Sequence, residues 1–325
     1  VIPVLPSVKA LAGVDRCMTH AGWSGYVDGT RERVRSTLTA ELRVLDLPGR
    51  MIPSLVSAGQ VNRGVLTILV GEALGAGDGT VLIRMATAIE LVHRASVIHD
   101  DIQDGDRLRR GVPTFHVSHG LPIAVAVSDV LLSHALVVAG RFPDPGFLLD
   151  VVATYQRMSR GQLMDFVGTA GIADSDWTLP SRLKTGSLVE LAFRSGARGA
   201  GVDPAGLDEW SAIGQLCGSA FQLINDVRNA RNEEDRGAIA SSDLAEGRFS
   251  SVRLAAEAMI GGSPLDEPGH LETVCAIVEE EAGRRMAEAA HRMAETGPDG
   301  LAGRILTLLT TPDAAARFTL QDPER

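Results

Sequence analysis

Glu90-Leu-Val-His93-Arg-Ala-Ser-Val-Ile-His99-Asp100-Asp101-Ile-Gln-Asp104-Gly-Asp-Arg-Leu-Arg109-Arg110-Gly111 decides both the fold class and the chemistry. Up to Ile98 the apolar residues recur at helical spacing, and then three carboxylates arrive together. On a helix Asp100 and Asp104 lie one turn apart on one face, with Asp101 about 100° round the axis. Carboxylates crowded in this way repel unless a cation sits among them. Oxygen ligands without His or Cys suit Mg²⁺ held jointly with a phosphate. Arg109 and Arg110 then set fixed cations beside the acids, and metal-binding carboxylates facing arginines suit a diphosphate. The plainer alternative, a solvated acidic helix end, leaves that arginine pair unexplained.

Outward from this stretch the helical spacing continues over nearly the whole chain. Of 325 residues 45% are hydrophobic, enough for a large core, and only 4% are aromatic. Alternating β-branched runs do not recur, so strands are not expected. The spacing predicts helices at 30–46, 53–75, 80–103, 121–141, 145–170, 185–199, 205–232, 248–261, 268–296 and 300–310. Turn-rich breaks fall at 75–79, 104–106, 143–146, 261–264 and 297–300. The expectation is one all-α domain, a single bundle of about ten helices over residues 30–325, preceded by an N-terminal extension at 1–29. A net charge of −10 supplies no basic face for nucleic acid. Cys17, Cys217 and Cys275 are isolated, with neither disulfide nor zinc spacing. Residues 121–140 are apolar enough to resemble a membrane span, but Asp129 and His134 interrupt them, so a buried core helix is the expected state. With no signal-peptide pattern and no transmembrane segment expected, the expected location is cytoplasmic.

A second polar stretch is Gly218-Ser-Ala-Phe221-Gln222-Leu-Ile-Asn225-Asp226-Val-Arg-Asn229-Ala-Arg-Asn-Glu233. Asn225, Asn229 and Glu233 repeat at four-residue spacing and form one helical stripe, with Asp226 off that face. Two amide oxygens and a carboxylate can hold one more hard cation. By itself the stripe reads as a polar surface; beside the first motif it reads as a second metal-binding wall.

From about residue 55 to 310 the sequence resembles the trans-polyprenyl diphosphate synthase family, which has the class I isoprenoid synthase fold. The resemblance is carried by Asp100-Asp101-Ile-Gln-Asp104, Arg109-Arg110-Gly111, Leu91-Val-His93, Ser128-Asp129, Gly161-Gln162 with Asp165, Lys184-Thr185-Gly186 and Phe221-Gln222, all in the family's order. It implies helices around a central apolar cavity, a homodimer, and three Mg²⁺ ions bridging the two motifs and the diphosphate of an allylic isoprenyl substrate. It makes Asp100, Asp101, Asp104, Asn225, Asp226, Asn229 and Glu233 the metal-site residues. It makes Lys184 a diphosphate-binding lysine, gives Arg63, His93 and Arg110 to the isopentenyl diphosphate pocket, and places Arg109, Gln162 and Gln222 among the substrate-binding residues. Lys184 is one of only two lysines in the chain, with Lys9 the other, which suits a point-charge contact. Ala95 and Ser96, five and four residues before the first aspartate, imply a small floor under the substrate chain and a C15 or C20 substrate.

The departures from the family pattern are specific. Where the family has Gly-Gly-Lys-x-x-Arg-Pro, this chain reads Ala58-Gly59-Gln60-Val-Asn-Arg63-Gly64, so a lysine has become Gln60. The second motif is Asn-rich and resembles the Asn/Ser/Glu triad of class I terpene cyclases. A later Gly-Lys reads Gly237-Ala238, while Arg248 keeps a charge at the next lysine position. A lost charge-assisted contact costs roughly 1.5–3 kcal/mol. The sequence therefore favours an enzyme that ionises an allylic diphosphate and lets the cation cyclise, meet water or couple to a non-isopentenyl acceptor. Ordinary chain elongation is the alternative, and a non-catalytic partner subunit the third reading.

Overall fold

The computed structural model describes residues 20–57, 59–167, 176–231, 250–260 and 269–310. The described residues are nearly all helical: α1 His20–Val44, α2 Ile52–Ser57, α3 Asn62–Ala73, α4 Gly79–Gln103, α5 Phe115–His119, α6 Leu121–Gly140, α7 Pro145–Val167, α8 Leu179–Ser181, α9 Ser187–Gly199, α10 Pro204–Ala230, α11 Ser251–Ile260, α12 His270–Thr296 and α13 Leu301–Thr310. A small antiparallel ribbon, β1 Leu108–Arg109 and β2 Val112–Pro113, follows α4.

The two long central helices start at side-chain caps. Asp78 accepts the amide N–H of Thr80 at 2.8 Å ahead of α4. Asp203 accepts that of Gly206 at 2.8 Å ahead of α10, with Pro204 in the first turn. The core joins α3, α4, α6, α9 and α10 through fully buried Leu66, Ile89, Leu91, Leu131, Leu188, Phe193 and Ile213. A second cluster, Ala220, Leu223, Val227, Val252, Val274 and Val278, ties α10 to α11 and α12.

Four departures from the helix expectations matter. The helix predicted over 53–75 is broken between α2 and α3, where Gly59 (φ 117°) and Val61 (φ 49°) turn the chain. A β-branched residue in the left-handed region is strained, and the burial of Val61 holds it there. Periodicity does not register such a break, because apolar residues flank it on both sides. Residues 20–29, expected in an N-terminal extension, are the first turns of α1, where Val27 is buried and Tyr26 donates its hydroxyl proton to Glu72 (2.8 Å). The helix predicted from 185 is preceded by a π-helical turn, Arg182–Gly186. Finally, α6 is not a fully buried core helix. By length and composition it could cross a membrane, yet one face packs into the bundle and the other exposes Leu121, Ile123, Val125 and Val137.

Candidate active site

The acidic motif falls at the C-terminal end of α4. Asp100 and Asp104 are half-buried, and Asp101 is buried. Burial, with Asp104 and Asp101 nearby, pushes the Asp100 carboxyl up to about 6 against the pull of Lys184 and Arg109. Asp101 points off that face, and its Oδ1 accepts a hydrogen bond from Arg109 Nε at 2.6 Å. The β1–β2 ribbon makes that contact possible. Arg110 (φ 54°) and Gly111 (φ 76°) form its two-residue turn, and two positive φ values in succession match the twist of a tight hairpin. The turn that brings Arg109 itself back to α4 comes earlier, at Gly105 (φ 67°), where the Asp106 amide N–H donates to the Asp101 carbonyl (3.0 Å); the hairpin then anchors that strand.

Opposite stands the π-helical turn that carries Lys184. π-helical turns concentrate at functional sites, and here two glycines hold one in place. A Cβ at Gly161 of α7 would come within 2.9 Å of Leu183 and Lys184, and one at Gly218 of α10 within 2.9 Å of Gly186. The Gly161-Gln162 and Lys184-Thr185-Gly186 motifs are therefore two sides of one close crossing. Gln162 is buried there, and both atoms of its amide have no hydrogen-bond partner. From the same turn Thr185 donates to Gln222 Oε1 (2.6 Å), and Gln222 Nε2 donates to Asp226 Oδ1 (2.7 Å). Asp226 Oδ2 accepts the amide N–H of Ser251 (2.9 Å), so this carboxylate links α10 to α11. Asn225 and Asn229 are half-buried on α10. Glu233, Arg248 and the Gly237-Ala238 pair lie outside the described residues.

Among the described residues no three His, Cys, Asp or Glu side chains group as a closed metal site. The donor set is open: crowded carboxylates on one wall, amides and Lys184 on the other, and the unsatisfied buried amide of Gln162 beside the Lys184 turn. It fits a hard cation shared with a substrate phosphate, since Mg²⁺ is bound through one or two carboxylates plus substrate phosphates.

A separate cationic group gathers where α3 begins. Arg63 Nη1 lies 3.0 Å from His93 Nε2, and its buried Nε has no partner. Burial first, then Arg63, Arg94, Arg109 and Arg110, hold the His93 pKa well below the ordinary histidine value. His93 is therefore neutral and accepts the arginine proton on Nε2. The Arg63 pKa is itself lowered, by burial and by Arg110 and Arg94, against the support of Glu90 and Asp100. Fully buried Glu90 accepts the amide N–H of Gly64 (2.9 Å) and Arg94 Nη1 (3.4 Å), while Arg94 Nη2 donates to the carbonyl of Val56 (3.2 Å). Val61, which precedes α3, has no side chain able to cap it, so Glu90 caps α3 from the neighbouring helix. Gln60 and Asn62 each accept from Arg31 of α1.

Ala95 and Ser96 separate in role. Ala95 is fully buried at the α4–α6 contact, where Ser128 donates its hydroxyl proton to the Ala95 carbonyl (2.9 Å). Ser96, one step round the helix, is half-buried. Sequence reasoning did not assign Arg31, Glu90, Arg94 or Thr185 to the site. Glu90, Arg94 and Thr185 stand inside the motif stretches and Arg31 in none; the roles of Arg31, Glu90 and Arg94 come from contacts 26 to 38 residues apart in the chain, which spacing does not show.

The family model described as polyprenyl synthetase matches residues 48–261. The chain belongs to this family. It is 33% identical over 242 residues, 71% of this chain and 73% of the relative, to a short chain isoprenyl diphosphate synthase from Methanothermobacter thermautotrophicus. It is 26% identical to a nonaprenyl diphosphate synthase from Mycobacterium tuberculosis, covering 95% of this chain and 94% of that one. The crystal structure of a polyprenyl synthetase from Streptomyces coelicolor A3(2) superposes with a TM-score of 0.73 at 22% identity, over 88% of this chain and 98% of that one. The polyprenyl synthetase fold is thus the class I isoprenoid synthase bundle expected from the motifs. As a family member the chain is an enzyme that uses isoprenoid diphosphates. Its relatives are named as short chain isoprenyl, geranylgeranyl and geranylfarnesyl diphosphate synthases, which favours the prenyltransferase alternative over the cyclising reading suggested by Gln60 and the Asn-rich second motif.

Proposed function

We infer that the enzyme is a chain-elongating trans-prenyltransferase that joins isopentenyl diphosphate to an allylic diphosphate of C15 or C20 length. One observation carries this reading: beside the Asp100–Lys184 group lies a second set of cations, where buried Arg63, with no partner for its Nε, is set on neutral His93 with Arg110 nearby. Two places for a diphosphate suit a reaction of two diphosphate substrates. A cyclase, which needs to ionise one, has no use for the second.

Asp100 and Asp104, with Asn225 and Asn229 opposite, would hold Mg²⁺ together with the allylic diphosphate, and Glu233 completes the stripe in the sequence. Bound Mg²⁺ would neutralise the diphosphate and make it a better leaving group. Lys184 and Gln162 bind the same diphosphate from the other wall. Asp101 holds Arg109 over the acidic end of α4, so that its charge serves the leaving group. Arg63 and Arg110 hold the second diphosphate and orient the double bond that attacks the allylic carbon as its C–O bond breaks; the cation so formed loses a proton, for which the departing diphosphate is the available base, to give the extended chain. Neutral His93 fixes Arg63 without adding charge. Ser96 bounds the substrate chain.

The working form is a homodimer. Support comes from the apolar residues exposed on α6 (Leu121, Ile123, Val125, Val137) and on adjacent α7 (Leu149, Val152, Leu163, Phe166). Exposed apolar area of this extent marks a contact surface.

The test is incubation of purified protein with Mg²⁺ and farnesyl or geranylgeranyl diphosphate, with and without labelled isopentenyl diphosphate. Labelled, chain-extended diphosphate is the expected product, formed only when both substrates are present. Equal diphosphate release without isopentenyl diphosphate, accompanied by hydrocarbon or alcohol, would establish the cyclising reading instead.

A further inference from the structure

Gln60 stands where the family carries a lysine, and from the sequence alone that cation is lost. The structure brings another to the same place. Arg31, on α1 and 29 residues earlier, reaches the start of α3, where its Nη2 donates to Gln60 Oε1 (3.2 Å) and to Asn62 Oδ1 (2.9 Å). Asn62 Nδ2 also donates to Gln60 Oε1 (3.1 Å), so the two amides form one cradle of acceptor oxygens. Both amides are neutral and leave the guanidinium charge whole. The carboxylate that contacts Arg31 is Asp28 (3.3 Å), which is 67% exposed and one helical turn away, a surface pair of little strength. The Arg31 side chain is itself only 18% exposed, and its buried Nε has no hydrogen-bond partner. The next residue along α3 from this cradle is Arg63.

We propose that Arg31 replaces the missing lysine: held by Gln60 and Asn62, it supplies the second cation, beside Arg63, that binds the diphosphate of isopentenyl diphosphate. This deepens the elongation reading and rests on it. A lysine at position 60 would place the charge directly; here the amide that took its place positions an arginine from another helix. The planar fork of an arginine matches a diphosphate in two-point contact better than an ammonium does.

The experiment is calorimetric binding of isopentenyl diphosphate in chelator, so that neither turnover nor metal enters, with KM values for both substrates measured alongside. Arg31→Ala should weaken isopentenyl diphosphate binding by about ten- to a hundredfold, the effect of one lost charge-assisted contact. Its allylic KM should stay within about twofold, since the allylic diphosphate lies on the other wall. Arg31→Gln, which keeps a hydrogen-bonding side chain against Asn62 and removes the charge, should show the same loss and carries the test should Arg31→Ala fold poorly. Adding Gln60→Lys to either should restore binding. A purely structural clamp between α1 and α3 would not be rescued in this way, so loss without rescue overturns the proposal, as does unchanged binding in both single variants. If wild type elongates while binding ignores Arg31, this inference fails and the elongation reading stands. If binding depends on Arg31 but no elongation occurs, elongation fails and the cation assignment stands. If isopentenyl diphosphate does not bind wild type, both fail.

Discussion

Glu90→Ala removes the joint that sets α3, and with it Arg63, against α4. Two losses follow from the geometry. Arg94, 2% exposed, loses the carboxylate 3.4 Å from its Nη1, and breaking a buried ion pair from one side costs about 3–5 kcal/mol. The amide N–H of Gly64 loses its 2.9 Å acceptor, and a buried donor left unsatisfied costs about 1–3 kcal/mol. The two share one side chain and do not add, so the expected destabilisation is about 4 kcal/mol. For a protein of ordinary stability, about 5–15 kcal/mol, that is a quarter or more of the total. Glu90→Gln keeps an acceptor for Gly64 and nearly the same shape, so it should cost measurably less than Glu90→Ala, while the loss from leaving the buried Arg94 charge without its carboxylate remains. Urea unfolding followed by circular dichroism, at fixed protein concentration, gives both numbers. Because the start of α3 carries Arg63, the folded fraction of Glu90→Ala should also show a raised KM for isopentenyl diphosphate. A loss below about 1 kcal/mol in Glu90→Ala would refute the claim that this carboxylate pairs Arg94, and equal losses in the two variants would refute the claim that it caps α3.

Asp100→Ala and Asp104→Ala should each lower turnover by about a thousandfold or more, as should chelator on the wild type, because the allylic diphosphate leaves poorly without its cations; activity that survives both treatments would remove the metal assignment. Ser96→Phe should shorten the longest chain accepted, read by chromatography of the products, whereas Ala95→Phe, overfilling the fully buried α4–α6 contact, should cost about 1–3 kcal/mol in unfolding experiments and leave product length unchanged. Gly161→Ala drives a methyl into Leu183 and Lys184, so it should raise the allylic KM more than the isopentenyl KM, and equal effects on both would argue against Lys184 as the allylic contact. Burial and the surrounding arginines depress the His93 pKa in the folded state, so only the unfolded chain takes up this proton as pH falls below about 6.5. Its contribution to stability is full above that pH and falls by up to about 1.4 kcal/mol per pH unit below it. Wild type should therefore lose more stability than His93→Gln between pH 7.5 and 5.5, and parallel pH profiles would show that His93 is protonated in the fold.

Helical periodicity alone determined the class of this fold, because amphipathic spacing is local and α7, α9, α10 and α12 each write their buried face into their own sequence, whereas α6 is apolar all round and only its packing showed which face is exposed. The first acidic motif was legible for the same reason, since one turn of helix fixes where Asp100 and Asp104 stand relative to each other. Composition also made Lys184 visible, as one of two lysines in an arginine-dominated chain. Tertiary structure decided what depends on separate elements meeting. It broke the predicted 53–75 helix at Gly59–Val61, turning the start of α3 into a cationic site, and a strained backbone held by burial leaves no mark on apolar spacing. It set Asp101 against Arg109 and Asp226 against the first amide of α11, contacts between separate elements that residue type alone does not show. The reading of Gln60 shows the difference best. Residue by residue, a lysine was missing and the second diphosphate site looked impaired. The guanidinium of Arg31, brought across from α1, sits on that glutamine, because charge in a binding site is summed over space and not along the chain.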